Sequence, residues 1–216
     1  MGPQTLQWLA LSGAFWIGVL AFARQGGRRE GLRFALGLGL GAVLAHAGWA
    51  MLHWQAVAIH PSAIADPATG YCVLFAPLGV LLFTRSPAAF RALPLAFAAA
   101  RAGCLAAGCC HGPGGEPTPL YEMGGLVLLH AALRRGPDRW ALPAFCAGFG
   151  LVRLGVEPWR APPPLGEPAI PPTWIAAAWV AVGVAVASRE FAREDAESGS
   201  PRRSSDRGPV QKRNPY

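Results

Sequence analysis

Two long stretches of this chain carry no Asp, Glu, Lys or Arg: residues 1–23, and the segment from Phe34 to Ala65. Each is long enough for an α-helix to cross the hydrocarbon core of a bilayer, which takes about 20 apolar residues. Charged residues make up only 14% of the chain, whereas soluble domains carry about a quarter. The chain is therefore predicted to fold as helices within a membrane.

Breaks in hydropathy divide the chain into about seven candidate transmembrane helices. The alternative for the first is a signal peptide, because Ala21-Phe22-Ala23 resembles a cleavage site. Signal peptides carry basic residues before the apolar run, and here Arg24 follows it, which favours an uncleaved helix. The last three candidates are short, so less tilted or partly re-entrant segments stay open for them. The predicted helices are Thr5–Ala23, Leu32–Trp54, Thr69–Thr84, Ala88–Gly108, Pro119–Leu133, Trp140–Val156 and Thr173–Ser188.

In this predicted topology most of the basic residues lie on one side of the membrane. With the amino terminus outside, sixteen of the nineteen Lys and Arg residues fall in cytoplasmic loops or the tail, and Arg160 falls in an outer loop. Cytoplasmic loops are enriched in Lys and Arg. The predicted fold class is therefore an all-α polytopic membrane protein, amino terminus out and carboxyl terminus in. Because the net charge of +7 resides mainly in loops and tail, no nucleic acid partner is expected.

The chain divides into two predicted regions. Residues 1–188 are expected to form a transmembrane domain. Residues 189–216 are rich in Arg, Ser, Asp, Glu and Pro and have few large apolar side chains. This composition predicts a disordered, basic cytoplasmic tail.

Four charged residues lie where hydropathy predicts membrane. Arg101 and Arg153 fall inside candidate spans, Glu157 lies four residues after Arg153, and Glu122 lies at the start of the fifth helix. A charge at this depth persists when it is paired or lines a water-filled cavity. One hypothesis is a buried cluster that opens outward and binds phosphate through its guanidinium groups. The alternative is that Arg153–Glu157 and Arg101–Glu122 pairs only hold helices together.

Three segments resemble the bacterial prolipoprotein diacylglyceryl transferases. The first is Arg101-Ala-Gly-Cys-Leu-Ala-Ala-Gly-Cys-Cys-His-Gly112, which is similar to the signature segment of that family. The second, Pro117-Thr-Pro-Leu-Tyr-Glu122, resembles the family's His-Pro-Thr-Gln-Leu-Tyr-Glu. The third, Gly148-Phe-Gly-Leu-Val-Arg-Leu-Gly-Val-Glu-Pro-Trp-Arg160, resembles its Arg–Phe–Glu–Phe–Arg segment. Their order, and the predicted topology, also match the family.

The resemblance implies a reaction and its partners. Members of the family move diacylglyceryl from phosphatidylglycerol to the thiol of a lipobox cysteine in a lipoprotein precursor, releasing glycerol phosphate. It implies that this chain is a transferase of the bacterial cytoplasmic (inner) membrane. The expected partners are a phosphatidylglycerol-like phospholipid donor, a lipoprotein precursor peptide and the membrane itself. No cofactor and no metal are expected.

The resemblance also assigns candidate site residues. Arg101 and Arg153 are expected to hold the phosphate and stabilise its developing charge. The remaining expected catalytic residues are His111, Cys109 and Glu157. Residues expected to bind or approach the substrate are Gly103, Cys104, Gly108, Gly112, Tyr121 and Glu122.

Six positions depart from the family pattern: Asn is replaced by Cys104, Glu by Cys109, His by Leu74, Tyr by Phe149, His by Glu116 and Arg by His46. Several acid–base and headgroup side chains are thus absent. The alternative functions are a lapsed or repurposed relative that binds lipid or assists assembly, and a small transporter lined by the arginines.

Cysteine and histidine pairs suggest further possibilities. Cys109-Cys110-His111 is interpreted first as packing at a helix end, then as a nucleophile with its base, and last as ligands of a soft metal with Cys104. His46 and His53 lie two turns apart on one helical face, as haem ligands do. Hydrogen-bonded or interfacial histidines are the favoured interpretation of that pair.

Overall fold

The computed structural model describes residues 3–23, 27–64, 71–106, 108, 110–161, 168 and 170–199. All regular secondary structure in these residues is helical, which confirms the predicted all-α class for this part of the chain. The α-helices are α1 (Pro3–Ala23), α2 (Arg28–Leu52), α3 (Trp54–Ile59), α4 (Ala76–Phe83), α5 (Pro87–Ala106), α6 (Thr118–Arg135), α7 (Ala141–Val156) and α8 (Pro172–Gly199). Short 3-10 turns lie at Pro61–Ile64, Val73–Phe75, Asp138–Trp140 and Glu157–Trp159.

Four helical segments of the described chain are long and apolar enough to cross a membrane. They are Arg28–Leu52, Pro87–Ala106, Asp138–Trp159 and Pro172–Asp195. Ser12–Ala23 and Val73–Phe83 are apolar helical segments of shorter length. The membrane character is thus supported by four segments, while the count of seven crossings and their orientation stay predictions.

The third predicted span, Thr69–Thr84, is shorter than expected. Its first two residues lie outside the described residues, and the helix there consists of the turn Val73–Phe75 followed by the 8 residues of α4. This length corresponds to about 18 Å, against a hydrocarbon core of about 30 Å. The backbone is extended at Cys72 before the turn and at Thr84 after α4. The described segment is therefore too short to cross a bilayer alone.

Glycines let α4 lie directly against α2. A Cβ atom at Gly79 would collide with the main chain of Gly41 and would meet the carbonyl oxygen of Gly37 at 2.6 Å. Such close approach of backbones is typical of helix packing in membranes, where small residues line the contact. The short helix is thus embedded against a longer one.

α8 runs past Ser188, where the seventh helix was predicted to end. α8 continues to Gly199, so the first part of the predicted disordered tail is helical. Trp140 packs on Phe191 with ring centroids 4.6 Å apart, and Arg139 forms an ion pair with Glu194. These contacts extend the helix beyond the apolar run. Residues 200–216 of the predicted tail lie outside the described residues.

Aromatic side chains fill the interior of the bundle. Phe22 stacks on Phe34 at 4.8 Å between α1 and α2, and Phe145 lies between Phe90 and Phe149. Large apolar side chains also cover the exterior, where Leu82, Leu128 and Trp174 are each more than 70% exposed. An apolar exterior of this kind suits a lipid environment.

Candidate functional site

Three helices bring the intramembrane charges to one end of the bundle. Arg101 lies near the end of α5, Glu122 near the start of α6, and Arg153 near the end of α7. The turn Glu157–Trp159 then adds Glu157, and Arg160 follows directly. We call Arg101, Glu122, Arg153, Glu157 and Arg160 the Arg–Glu cluster.

Glu122 is the centre of the Arg–Glu cluster. Its side chain is only 5% exposed. One carboxylate oxygen pairs with Arg101 Nε. The other accepts a hydrogen bond of 2.7 Å from Arg153 Nη1 and lies 3.5 Å from Arg160 Nη1. A single buried carboxylate therefore contacts three guanidinium groups.

Arg153 joins the two carboxylates. Its Nη1 bonds Glu122, and its Nη2 lies 2.7 Å from Glu157 Oε2. The second contact is an i,i+4 pair across the end of α7. Arg160 Nε lies 3.8 Å from the same Glu157 oxygen. The planar guanidinium of Arg153 is thus fixed in orientation by carboxylates from two helical segments.

The Arg–Glu cluster carries more positive than negative charge. Three guanidinium groups face two carboxylates, which leaves one excess positive charge. Two buried donors, Arg153 Nε and Arg160 Nη1, make no hydrogen bond with a described residue, and the same holds for one oxygen each of Glu122 and Glu157. Arg160 Nη1 has only its 3.5 Å ion pair with Glu122. Burial and then the charge of Arg153 lower the pKa of Arg160 below its ordinary value. Buried charge of this kind is costly unless paired, so the cluster has the charge and the donors to accept an anion.

A small cavity adjoins the Arg–Glu cluster. Its volume is about 10 Å³, room for about one water molecule. Arg101, Glu122 and Arg153 form its polar wall. Its apolar wall is formed by Val73, Phe97, Leu126, Phe149 and Val152. Polar and apolar walls therefore meet at the arginines.

The loop between α5 and α6 turns sharply beside the Arg–Glu cluster. Gly108, Cys110 and Gly115 have positive φ values of 68°, 63° and 87°. Thr118, which is fully buried, donates its hydroxyl to the carbonyl of Cys110. Pro119 then lies in the first turn of α6, where a missing N–H costs nothing. These features direct α6 so that Glu122 faces inward.

Two segments cover this end of the bundle, and we call them the roof: residues 110–116 and residues 157–161. Ala161 donates its N–H to the carbonyl of His111 at 3.3 Å. A Cβ atom at Gly112 would collide with the carbonyl of Trp159, so only glycine fits there without displacement. The rings of Trp159 and Tyr121 meet edge-on at 6.2 Å.

The structure brings four predicted site residues into direct contact: Arg101, Glu122, Arg153 and Glu157. Cys104 also joins them, since Arg101 Nη1 lies 3.8 Å from its sulfur. Both pairs expected under the structural alternative, Arg101–Glu122 and Arg153–Glu157, are present. The added Arg153–Glu122 bond makes one network of them.

The other predicted site residues lie around that network. Gly103 is buried within α5, and Gly108 and Gly112 lie in the turn and the roof. Tyr121 points partly outward and is 44% exposed. His111 contributes its main-chain carbonyl to the roof, and its ring makes no hydrogen bond or ion pair with described residues. Cys109 lies outside the described residues.

The histidine pair on α2 is hydrogen-bonded, as the favoured interpretation expected. His46 Nε2 lies 3.0 Å from the carbonyl of Ile64, and His53 Nδ1 lies 3.0 Å from that of Trp49. Both rings stack on the Trp49 indole. The two rings therefore pack and hydrogen-bond within the helical bundle.

Arg160 is the member of the Arg–Glu cluster that sequence reasoning assigned to an outer loop. Hydropathy places it beyond the sixth span, after Pro158. The available signal was spacing, since Arg160 lies three residues after Glu157 and seven after Arg153, positions that share a helical face. Because the turn Glu157–Trp159 continues the helical path of α7, Arg160 returns to the side of the helix that carries Arg153 and Glu157.

Comparison with known protein families and with curated proteins finds no match for this chain.

Proposed function

We propose that this protein is a membrane transferase that moves the diacylglyceryl group of phosphatidylglycerol to the thiol of a cysteine in a lipoprotein precursor. The observation that carries the proposal is the buried Arg–Glu cluster, with its excess positive charge and the Arg153 Nε donor that makes no hydrogen bond with a described residue. The three segments that supply this cluster resemble the prolipoprotein diacylglyceryl transferases. That resemblance suggests the lipid donor and the thiol acceptor. The anion that the cluster accepts is the phosphodiester of the headgroup.

We further propose seven membrane crossings in a bacterial cytoplasmic membrane, with the amino terminus outside. The third crossing is made by the short α4, packed against α2, together with the residues that flank it. Under this topology Arg91 and Arg134 lie toward the cytoplasm, as the enrichment of basic residues in inner loops requires. The Arg–Glu cluster then lies in the outer half of the bundle. The lipid donor enters from the outer leaflet, on the side where lipoprotein precursors present their cysteine.

In the proposed reaction the phosphodiester lies on Arg101 and Arg153, and Arg160 contacts it from the side. The acceptor thiolate attacks the glyceryl carbon that bears the phosphate ester, so that a C–S bond forms and the C–O bond breaks. Glycerol phosphate departs with the electron pair. Charge grows on the departing phosphate, and guanidinium groups already held in place stabilise it without reorganisation. Glu122 and Glu157 keep those groups oriented.

A base must accept the thiol proton, and His111 is the candidate that the roof supplies. General base catalysis by a positioned side chain contributes about 10²–10⁴-fold. His111→Ala is therefore expected to lower turnover by at least about 100-fold. Full turnover in this variant would mean that another group accepts the thiol proton.

Headgroup binding requires the roof to open. The cavity of about 10 Å³ holds one water molecule, and a phosphodiester is larger. The two roof segments are joined by the 3.3 Å hydrogen bond from Ala161 to His111. Separation of the roof therefore precedes binding, and its return excludes water from the reacting atoms.

One observation favours a second candidate, a lipid-binding relative without chemistry. Leu74 occupies the position near which the family has His, and it is 1% exposed within the apolar core. Its carbonyl accepts a 2.8 Å hydrogen bond from the Trp179 indole. No acid–base side chain is available at that position. Under this candidate, Arg101→Lys retains function, whereas a transferase needs the bidentate guanidinium.

The test uses purified protein in phosphatidylglycerol vesicles with a lipobox peptide, and measures glycerol phosphate release and thioether formation. We expect release from the wild type, and loss in Arg101→Ala and Arg153→Ala. Arg91→Lys, at the opposite end of α5, is the matched control and should retain release. No release from folded wild-type protein, beside an active family member, would overturn the transferase proposal.

A further inference from the structure

We infer that Cys104 is a nucleophilic thiol of the Arg–Glu cluster, and that it captures the diacylglyceryl group of a bound phospholipid as a thioether. The inference rests on the proposed function, because the electrophile is the lipid that the cluster binds. It adds a covalent modification site within the chain itself.

The position of Cys104 carries the first part of the argument. Cys104 lies three residues after Arg101 on α5, and Arg101 Nη1 lies 3.8 Å from its sulfur. The same guanidinium pairs through Nε with Glu122. A guanidinium beside a thiol favours the thiolate, which is the nucleophilic form. Cys104 is half-buried at the end of the helix, so the sulfur is not enclosed in the core.

A second observation is a buried guanidinium donor beside the same arginine. Arg153, whose side chain is 8% exposed, has a buried Nε without a hydrogen-bond partner among the described residues. Arg153 and Arg101 line the same cavity. Because Arg101 lines this cavity and also contacts the Cys104 sulfur, a phosphodiester held by the two arginines lies next to that sulfur. Proximity of this kind is the main requirement for an intramolecular displacement.

The chemistry balances without a further reactant. The Cys104 thiol loses its proton, and the thiolate attacks the glyceryl carbon that carries the phosphate ester. One C–S bond forms, one C–O bond breaks, and glycerol phosphate leaves with the electron pair. A thioether is stable, so the step occurs once per chain and leaves a lipid tethered beside the arginines.

Other described cysteines serve as internal controls. Cys146 is fully buried in the core on α7. Cys72 lies on a separate segment, just before the turn Val73–Phe75. Cys110 is close enough to Arg101 and Arg160 to interact with their charges. We place the modification on Cys104 because Arg101 contacts its sulfur directly, and peptide mapping distinguishes it from Cys110.

The experiment is intact-mass and peptide-mapping analysis of the full-length protein after incubation in phosphatidylglycerol vesicles, with and without lipobox peptide. We expect a single added diacylglyceryl mass that maps to Cys104. Cys104→Ser should lose it, Cys146→Ala should keep it, and Arg101→Lys should slow its formation by at least about tenfold. Circular dichroism of each variant confirms the helical fold.

The outcomes separate this inference from the proposed function. Modified peptide with unmodified Cys104 would overturn the inference and leave the transferase in place. A diacylglyceryl mass on another cysteine would also overturn it. A modified Cys104 without modified peptide would support the inference and overturn transfer to a lipoprotein. An adduct that forms in Arg101→Lys as fast as in the wild type would show that the Arg101 guanidinium does not promote the reaction of Cys104.

Discussion

Arginines at the two ends of α5 are held in different ways. At one end Arg91 donates to the carbonyls of Leu133 and Gly136, at 2.9 and 2.7 Å, and pairs with Asp138 at 2.7 Å. We call this the Arg91 site. Its single positive charge faces a carboxylate that is 74% exposed. At the other end, the Arg–Glu cluster has three guanidinium groups for two carboxylates.

The difference separates a structural arginine from arginines that can bind a ligand. Arg91 satisfies the carbonyls that α6 leaves open at its carboxyl end, which is the ordinary role of a cation at that position. Its charge is balanced and close to solvent. Among the described residues, the Arg–Glu cluster leaves the buried Arg153 Nε without a hydrogen bond and carries one positive charge more than its carboxylates balance. Hydropathy marks both ends as charged, and only the contacts tell them apart.

The largest effect should follow from removing the central carboxylate. Glu122→Gln leaves three guanidinium groups facing Glu157 alone, and breaking a buried pair from one side costs about 3–5 kcal/mol. The free energy of unfolding, measured in detergent micelles, should fall by that amount. Asp138→Asn at the Arg91 site is the matched control and should cost less than about 1 kcal/mol, because the Asp138 side chain is exposed to solvent. Equal losses of unfolding free energy in both variants would contradict the distinction between the Arg–Glu cluster and the Arg91 site.

Arg153→Lys should abolish most of the turnover. Lysine keeps the charge but cannot hold Glu122 and Glu157 at once with a planar fork. We expect glycerol phosphate release to fall by about 100-fold or more, the usual effect of losing one transition-state donor. The assay is the vesicle reaction, with protein concentration corrected for the folded fraction. Release within threefold of wild type, roughly 0.6 kcal/mol, would assign Arg153 to structure.

Arg91→Ala should lower the stability of the protein and leave its turnover unchanged. The variant loses two carbonyl contacts and an ion pair, which predicts a loss of about 1–3 kcal/mol in unfolding free energy. Turnover per folded molecule should stay at the wild-type level, because Arg91 lies at the opposite end of α5 from the cluster. A lower melting temperature with unchanged specific activity is the expected result. Loss of specific activity without loss of stability would contradict a structural role.

Arg160→Gln should give the smallest effect. Arg160 is the least tightly paired guanidinium, with contacts of 3.5 and 3.8 Å. Losing one charge-assisted contact predicts a rise of about tenfold in KM for phosphatidylglycerol, with a smaller change in kcat. Steady-state kinetics over a range of lipid mole fractions measure both. An unchanged KM would place the headgroup on Arg101 and Arg153 alone.

Much of the Arg–Glu cluster was predictable from sequence, because charges in apolar runs are conspicuous. Arg153 and Glu157 are four residues apart on one helix, so their pairing follows from helical geometry. Arg101 and Glu122 were predicted to join them, since an unpaired charge inside a membrane is costly. The bond between Arg153 and Glu122 depends on how α6 and α7 pack, which residue spacing alone does not determine.

Three features of the fold were missed for tertiary reasons. The apolar composition of residues 73–83 suits either a full span or a short helix, and its ends are set by extended backbone at Cys72 and Thr84. The polar composition after Ser188 predicted disorder, yet contacts of Phe191 and Glu194 continue α8. Arg160 returns to the cluster only because the turn before it keeps a helical path.

The central claim is that the Arg–Glu cluster binds an anionic phospholipid headgroup and the Arg91 site does not. Native mass spectrometry of the protein released from bilayers of equal phosphatidylglycerol and phosphatidylethanolamine tests it directly. The account predicts a retained phosphatidylglycerol in the wild type and in Arg91→Ala, and its loss in Arg101→Ala and Arg153→Ala. Equal retention of the two lipids, or equal phosphatidylglycerol retention in all four proteins, would contradict it.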